Sequence, residues 1–423
     1  MDNLRYTSNE RIRDYKRQKQ REQYNTIQDF DEDSTRKSQR KSRGKKKKKF
    51  NLLMKSGMDT PFFILVIILL VIGIAMMFSA SYAFAYYTMG DSYYFLIRQV
   101  SFAVIGVIVM FLISFFDYHN FHKLAVVILA VAFVLLVLVL FMPAVNGVHR
   151  WLGLGLFSLQ ASEVMKMAII IFYAHWASIY FDKMDTFAYG VLPAILIGGA
   201  TIALLYFEPH FSGMVIIVLL LAIMMWISGV KARWFGIGIG AAVLGFLILY
   251  VTGLLKYAME RLDGWGLALE EDLSREMQDT VWQTMNSLYA IGSGGLTGLG
   301  LGQSREKYLY LPEPQNDFVF AVVIEELGLI GGIIILAIFA ALVIRGILIS
   351  LRAKDRFGML LGVGFVSQVG LQVILNILVI TDTLPNTGIS LPFFSYGGSS
   401  LVMLLAQMGI VLSVSRNANI NKT

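Results

Sequence analysis

In residues 308–328, YLYLPEPQNDFVFAVVIEELG, Asp317 stands where a polar loop gives way to an apolar helix. A carboxylate at such a boundary is half out of water. Lost hydration raises its pKa towards values useful to a general base near neutrality. Arg305 and Lys307, a little upstream, oppose that rise but supply cations for a phosphate. An acid at a helix N-terminus is also stabilised by the helix dipole, by about 0.3–1 kcal/mol. A catalytic and a structural role are therefore both open on position alone.

Ionisable side chains inside apolar segments are costly, which makes them candidates for function. Glu163 and Lys166, three residues apart, fall on one helix face. They are either an internal ion pair or a site where Lys166, with Arg150 from the preceding loop, holds an anionic group. Arginine suits phosphate oxygens as a fork, and lysine acts as a point charge. Gln368, Gln372 and Asn376 make a polar stripe at four-residue spacing, the pattern of amides that bond to neighbouring helices. Glu325 and Glu326 read as structural partners. The run IGSGGLTGLGLG (291–302) has neither GxGxxG in register nor GK[ST], so tight turns and close backbone approach explain it better than a nucleotide does. Five scattered histidines show no metal-ligand spacing, and cysteine is absent, which excludes disulfides and thiolate chemistry.

The elements that must position these groups are membrane helices. The chain is 56% apolar with a mean hydropathy of +0.64, above the range of soluble domains. Its apolar stretches are long enough to cross a hydrocarbon layer of about 30 Å. The expected fold is an all-α integral membrane protein with ten spans, near 62–84, 95–116, 123–142, 162–180, 188–206, 211–228, 234–253, 317–349, 357–380 and 393–415. Alternate connections carry Lys123, Lys183, Lys231 and Arg233, then Arg345, Arg352, Lys354 and Arg356, then Arg416, whereas 85–94 and 382–392 have no Lys or Arg. The positive-inside rule then places both termini in the cytoplasm.

Eighteen of the 36 basic residues lie in residues 1–55, against eight acids. Such a tail cannot bury enough apolar surface to fold. It reads as a disordered cytoplasmic anchor on anionic lipid, and without interleaved aromatics it does not point to nucleic acid. The remainder, 56–423, is the membrane domain. Its loop 254–316, between the seventh and eighth spans, lies outside and is longer than an ordinary connection. Residues 274–291 within it have helical apolar spacing, for a helix against the bilayer or tucked into the bundle. A second outward segment covers 143–161.

Five segments together resemble the SEDS family (shape, elongation, division and sporulation), the FtsW/RodA/SpoVE group of peptidoglycan glycosyltransferases. They are NGVHRW (146–151), SLQASEVMK (158–166), FEPHFSG (207–213), the loop-to-helix stretch 290–328, and LPNTGISLPFFSYGGSS (384–400). The likeness runs from about residue 60 to the end and leans to the FtsW/SpoVE branch. It implies polymerisation of lipid II, with disaccharide units carried on undecaprenyl pyrophosphate joined at the outer membrane face. The aspartate of the family's LPE…DF motif falls on Asp317 and is implied to be the catalytic base. Glu313 falls on the glutamate of LPE, and Arg150, Trp151, Glu163 and Lys166 fall on positions lining the same outer cavity. The family also implies a class B penicillin-binding protein as partner, with other divisome or elongation proteins, and residence in the bacterial plasma membrane, enriched at the septum.

Four positions depart from the family pattern. Gln315-Asn316 stand where His-Thr is usual, Ala161 replaces a proline, and His210 replaces an acid. In the implied inverting reaction Asp317 takes the proton of the attacking sugar hydroxyl. Arg150 and Lys166, with Arg305 or Lys307, neutralise the departing pyrophosphate, with or without a divalent cation (Mg or Mn). The same cavity would also suit a lipid II flippase, and a scaffold for a transpeptidase would need neither role.

Overall fold

The computed structural model describes residues 57–143, 150–153, 158–251, 262, 264–270 and 272–418. The basic tail expected over 1–55 lies outside the described residues, as do 144–149 and 252–261 of the two outward segments.

Among the described residues eleven α-helices follow one another: α1 (Thr60–Met89), α2 (Tyr94–Phe115), α3 (His119–Val139), α4 (Ala161–Ile179), α5 (Leu192–Phe207), α6 (Phe211–Ile227), α7 (Ala232–Val251), α8 (Arg275–Gly294), α9 (Val319–Leu351), α10 (Arg356–Ile380) and α11 (Gly398–Asn417). Ten of them overlap segments expected as spans, and α8 is the helix expected inside the long loop. By length and composition seven helices can cross a membrane: α1, α2, α3, α5 with the π-helical turn before it, α9, α10 and α11. Helix α6 is apolar but shorter, as is the 232–245 part of α7, while α4 carries Glu163 and Lys166. The all-α expectation has one exception, a two-stranded antiparallel hairpin of β1 (Trp151–Gly153) and β2 (Ser158–Gln160).

Burial is inverted relative to a water-soluble bundle. Large apolar side chains such as Ile97, Val104, Ile108 and Leu112 of α2 stay exposed, while Gln99, Lys166, Gln368, Gln372, Asn376 and Gln407 are buried. A surface of this kind suits lipid, and interior amides then bind neighbouring helices and loops. The share of the span window that is buried rises from 22% in α2 to 67% in α10 and 72% in α11. The last two helices therefore form the centre.

Helix α9 is broken at Gly328, whose φ of 71° is left-handed, a region open to glycine but costly for other residues. The glycine-rich run fills the break. Leu299 and Gly300 N–H donate to the carbonyls of Glu325 and Glu326, and Leu329 and Ile330 donate back to Gly295 and Leu296. A Cβ on Gly298 would lie 2.2 Å from the Glu326 carbonyl oxygen, so a second backbone fits here only because the side chain is hydrogen. This is the close approach expected from sequence. Glu325 accepts from Ser304 Oγ at 2.5 Å and Arg305 N at 2.7 Å, the structural role expected of it.

The start of α1 meets the far ends of α9 and α11. Arg345 Nη2 lies 2.7 Å from Asp59 Oδ2, and Asp59 N–H donates to Ser415 Oγ at 3.1 Å. Asp355, which caps α10, also belongs to this end. It accepts from Tyr118, meets His119 Nε2 at 3.2 Å, and is held down to a pKa of about 2 by those bonds against the upward pull of burial. Both flanks of the bundle thus share one end. The opposite end carries Asp317 and the hairpin.

Candidate functional site

Two cavities open at the hairpin end and share a wall. The larger, about 720 Å³, is lined by Arg98, Arg150, Trp151, Glu163, Lys166 and Asp317 among others. The smaller, about 500 Å³, is lined by Trp265, by Thr280, Gln283 and Thr284 of α8, and by Asp382 and Asn386. Arg150, Glu313, Asp317 and Gly388 line both. The carboxylate singled out in the sequence therefore stands between a chamber whose wall carries Arg98, Arg150 and Lys166 alongside acids and one of mostly neutral hydrogen-bonding groups.

The hairpin builds one side of the larger chamber through its period of two. Trp151, Gly153, Ser158 and Gln160 line the cavity, while the register pairs Leu152 with Leu159 on the other face, against the core. Helix α4 starts directly after β2, so Glu163 and Lys166 fall in its first two turns, with Lys166 Nζ 2.7 Å from Glu163 Oε1. The pair is thus both an internal ion pair and part of the cavity wall. Arg150 Nε donates to the Glu208 carbonyl at 3.3 Å and its Nη2 to the Pro209 carbonyl, which fixes the guanidinium beside the chamber. Arg98 enters from α2, stacked 4.2 Å above the Tyr94 ring.

Asp317 lies two residues before α9 and is half-buried. Asn376 Nδ2 of α10 donates 2.7 Å bonds both to the Asp317 carbonyl and to the Ile389 carbonyl. Ser395 Oγ donates to the Asn316 carbonyl at 2.7 Å, and Tyr396 N–H to the Gln315 carbonyl at 2.8 Å. The loops 311–318 and 384–397 are therefore strapped together, and the strap fixes where Asp317 sits. Asn316 Nδ2 in turn orients Glu313 Oε2 at 2.7 Å, with Glu313 held at a left-handed φ of 44°. Gly388, at φ +68°, lies so near the carboxylate that a Cβ would stand 2.8 Å from Asp317 Oδ2.

Two acids near the site have carboxyls raised by burial. Asp382 on the smaller cavity lies above the ordinary aspartate range. Glu208, in the turn between α5 and α6, is pushed up to about 8 despite the opposing charge of Arg150.

Of the residues picked out in the sequence, Arg150, Trp151, Glu163, Lys166, Glu313 and Asp317 come together on the larger cavity. Arg305 and Lys307 line neither cavity. Lys307 is turned into the fold and pairs with Glu326 at 2.9 Å, and the Arg305 side chain is exposed. Neither is placed to neutralise a phosphate beside Asp317. Their nearness in sequence to Asp317 misleads because Lys307 pairs with Glu326, two turns into α9, away from the cavity wall. Arg98 escaped the sequence reading, although a charge inside the span 95–116 meets the same criterion that singled out Lys166. Asn376 stood in the polar stripe as an ordinary helix amide, and nothing local marks it as the residue that holds Asp317.

Comparisons with known proteins follow this geometry. Residues 59–420 match the family model described as "Cell cycle protein", whose label joins FtsW, RodA and SpoVE. Stage V sporulation protein E of Bacillus subtilis (strain 168) is 41% identical over 367 residues, covering 86% of this chain and 98% of that protein. A probable peptidoglycan glycosyltransferase FtsW of Geobacter sp. (strain M18) is 37% identical over 367 residues, covering 85% and 97%. Among solved structures, a chain of a peptidoglycan synthase complex that coordinates polymerization and crosslinking superposes with a TM-score of 0.70 at 23% identity, covering 86% of this chain and 99% of that one. The rod shape determining protein RodA of Thermus thermophilus superposes at 0.62 and 23% identity, covering 86% and 98%. These two likenesses concern the fold.

Proposed function

The chain belongs to the FtsW, RodA and SpoVE family of cell cycle proteins, and we infer that it is a peptidoglycan glycosyltransferase that elongates glycan from a lipid-linked disaccharide. The observation that carries this reading is Asp317 on the wall between the two cavities. One chamber gathers Arg98, Arg150 and Lys166, the charges suited to a diphosphate. The other offers Trp265, Gln283, Asn386 and Asp382, an aromatic face and hydrogen-bonding groups suited to a sugar.

In this mechanism the donor, lipid II, lays its pyrophosphate in the larger chamber against Arg98, Arg150 and Lys166, with the acceptor sugar in the smaller one. The 4-hydroxyl oxygen of the acceptor GlcNAc forms a bond to the anomeric carbon of the donor MurNAc, and the hydroxyl proton passes to Asp317. The bond from that carbon to undecaprenyl pyrophosphate breaks, and its electron pair leaves with the phosphate. A single displacement turns the α-linked donor into a β-linked product, so one base suffices. Pyrophosphate already departs readily, and the larger task is to stabilise the charge growing on it. Arg98, Arg150 and Lys166 are positioned for that, while the strap through Asn376 and Ser395 holds the base in register with the acceptor.

A divalent cation (Mg or Mn) fits the protein side poorly. Among the described residues no group of three or more His, Asp or Glu suits a metal, and a cation near Glu313 and Asp317 would take further ligands from substrate phosphate. By the positive-inside rule the Asp59 end faces the cytoplasm and Asp317 the outer surface of the bacterial plasma membrane. The proposed partners are a class B penicillin-binding protein and other divisome or elongation proteins, with enrichment at the septum.

The test is purified protein in detergent or vesicles with labelled lipid II. Asp317→Asn is expected to lower the polymerisation rate at least about hundredfold while the protein stays folded. Glycan made at the wild-type rate by that variant would overturn the assignment.

A further inference from the structure

A pocket of about 30 Å³ adjoins the larger cavity, and the mechanism leaves it unused. One water needs about 10–15 Å³, so there is room for a group of a few heavy atoms. Glu163, Gln372, Ser390 and Ser400 line both spaces and form the mouth of the pocket. Gln368, one turn along α10 from Gln372, lines the pocket and not the larger cavity. Its side chain is 1% exposed, and its Oε1 has no hydrogen-bond partner among the described residues. Leu391, Phe393, Leu401 and Leu404, all buried, supply apolar wall.

A buried acceptor without a donor costs free energy that a ligand N–H can recover. A glutamine amide offers one carbonyl oxygen and one NH2 group. Two such amides a turn apart, with leucines beside them, complement a secondary amide that ends in a methyl group. The ligand N–H meets the Gln368 oxygen, its carbonyl meets the Gln372 NH2, and its methyl meets Leu401 and Leu404. A phosphate does not fit, because the unsatisfied atom is itself an acceptor and no Lys or Arg lines the pocket. Water would satisfy the oxygen and gain nothing from the leucines.

The donor sugar of the mechanism carries such a group. MurNAc has an acetamido substituent on the carbon next to the anomeric carbon, and the anomeric carbon bears the diphosphate. The protein sets the two recognitions side by side in the same way: Glu163 pairs with Lys166 at 2.7 Å and also lines the pocket. We propose that the pocket is the subsite for the 2-acetamido group of the donor, and that Gln368 is a specificity-determining residue that accepts its N–H. The proposal rests on the reading of the larger cavity as the diphosphate site.

Competition between donors, with the full chain in vesicles, tests it. Each donor is a labelled lipid II whose GlcNAc 4-hydroxyl is methylated, so that it can donate and cannot accept; natural lipid II is the acceptor. One donor keeps the 2-acetamido group of MurNAc. The other carries a 2-acetoxy group, which retains the carbonyl and the methyl and lacks the N–H. For the wild type, kcat/KM is expected to be about tenfold to hundredfold lower with the acetoxy donor, whose ester oxygen leaves the buried acceptor unpaired. In Gln368→Leu, which removes that acceptor, the ratio should fall to within about threefold. A glutamine that only packs would change Tm, or the rates with both donors alike, and leave their ratio as it was. An unchanged ratio in Gln368→Leu therefore overturns the proposal. Equal transfer of the two donors by the wild type also overturns it, with no variant required to fold, and leaves the glycosyltransferase reading intact. If the wild type makes no glycan even from natural lipid II, that reading fails and the subsite with it.

Discussion

Two buried lysine–glutamate pairs lie in the Asp317 half of the bundle and differ in what surrounds them. Lys307 and Glu326 are 2.9 Å apart with side-chain exposures of 3% and 0%, and Lys166 and Glu163 are 2.7 Å apart with 3% and 11%. Distance and burial hardly distinguish them. Lys307, however, also donates to the Gly302 carbonyl at 2.7 Å and to Ser79 Oγ at 3.3 Å, so all three ammonium donors are used. Glu326 accepts from Ser79 as well. Lys166 has its glutamate on one side and the 720 Å³ cavity on the other. A buried charge becomes available for function when its protein partners leave donors over.

The largest expected effect comes from breaking the sealed pair. Lys307→Met strands the Glu326 charge in a buried site, which costs about 3–5 kcal/mol. Thermal unfolding in detergent should show Tm lowered by at least about 5 °C, or a failure to recover folded protein. A Lys307→Met protein that melts like the wild type but has lost polymerisation would reverse the comparison and return Lys307 to the active site.

The open pair predicts the opposite profile. In Lys166→Gln the remaining Glu163 still meets the cavity, so Tm should move by much less than in Lys307→Met. Loss of one charge-assisted contact to the diphosphate, about 1.5–3 kcal/mol, should lower kcat/KM roughly tenfold to hundredfold. Steady-state kinetics on labelled lipid II check the expectation. A variant that loses Tm and keeps kcat/KM would make both pairs structural.

The sequence disclosed much of this because membrane burial punishes charge. An apolar chain shows its spans by composition, and the ionisable residues that interrupt them stand out for the same reason; Glu163, Lys166 and Asp317 were found that way. Residues 274–291 revealed α8 through apolar spacing, and Ser274 caps it by accepting from Met277 N–H at 3.3 Å. What remained hidden depended on distant backbone. The hairpin is only three residues per strand, too short for a periodic signal. Asn376 bonds to carbonyls 59 and 13 residues away, and no local pattern encodes those partners. Lys307 is misread because its place is decided by distant partners, Glu326 in α9 and Ser79 in α1, which no local pattern encodes. Glu208 lies within FEPHFSG, and nothing in that segment marks the full burial of an acid beside a proline at the end of α5.

The smallest expected effect tests the same comparison from outside the fold. Arg305 is two residues from Lys307, yet its side chain is exposed, and its bond to Glu325 Oε1 at 2.7 Å is made by the backbone N–H. That bond survives any substitution other than proline. Arg305→Gln removes only a solvated charge, which is worth within about 0.5 kcal/mol in stability, and KM for lipid II should change by less than about twofold, since about 1.4 kcal/mol is needed for a factor of ten. The paired lysine and the neighbouring arginine thus separate two ways of leaving the site: Lys307 because its donors are consumed inside the protein, Arg305 because its donors face away from the cavities. A tenfold rise in KM with unchanged Tm in Arg305→Gln would mean that the loop carries this residue over the cavity during the reaction, and the contrast between sealed and open charges would then hold only for the substrate-free protein.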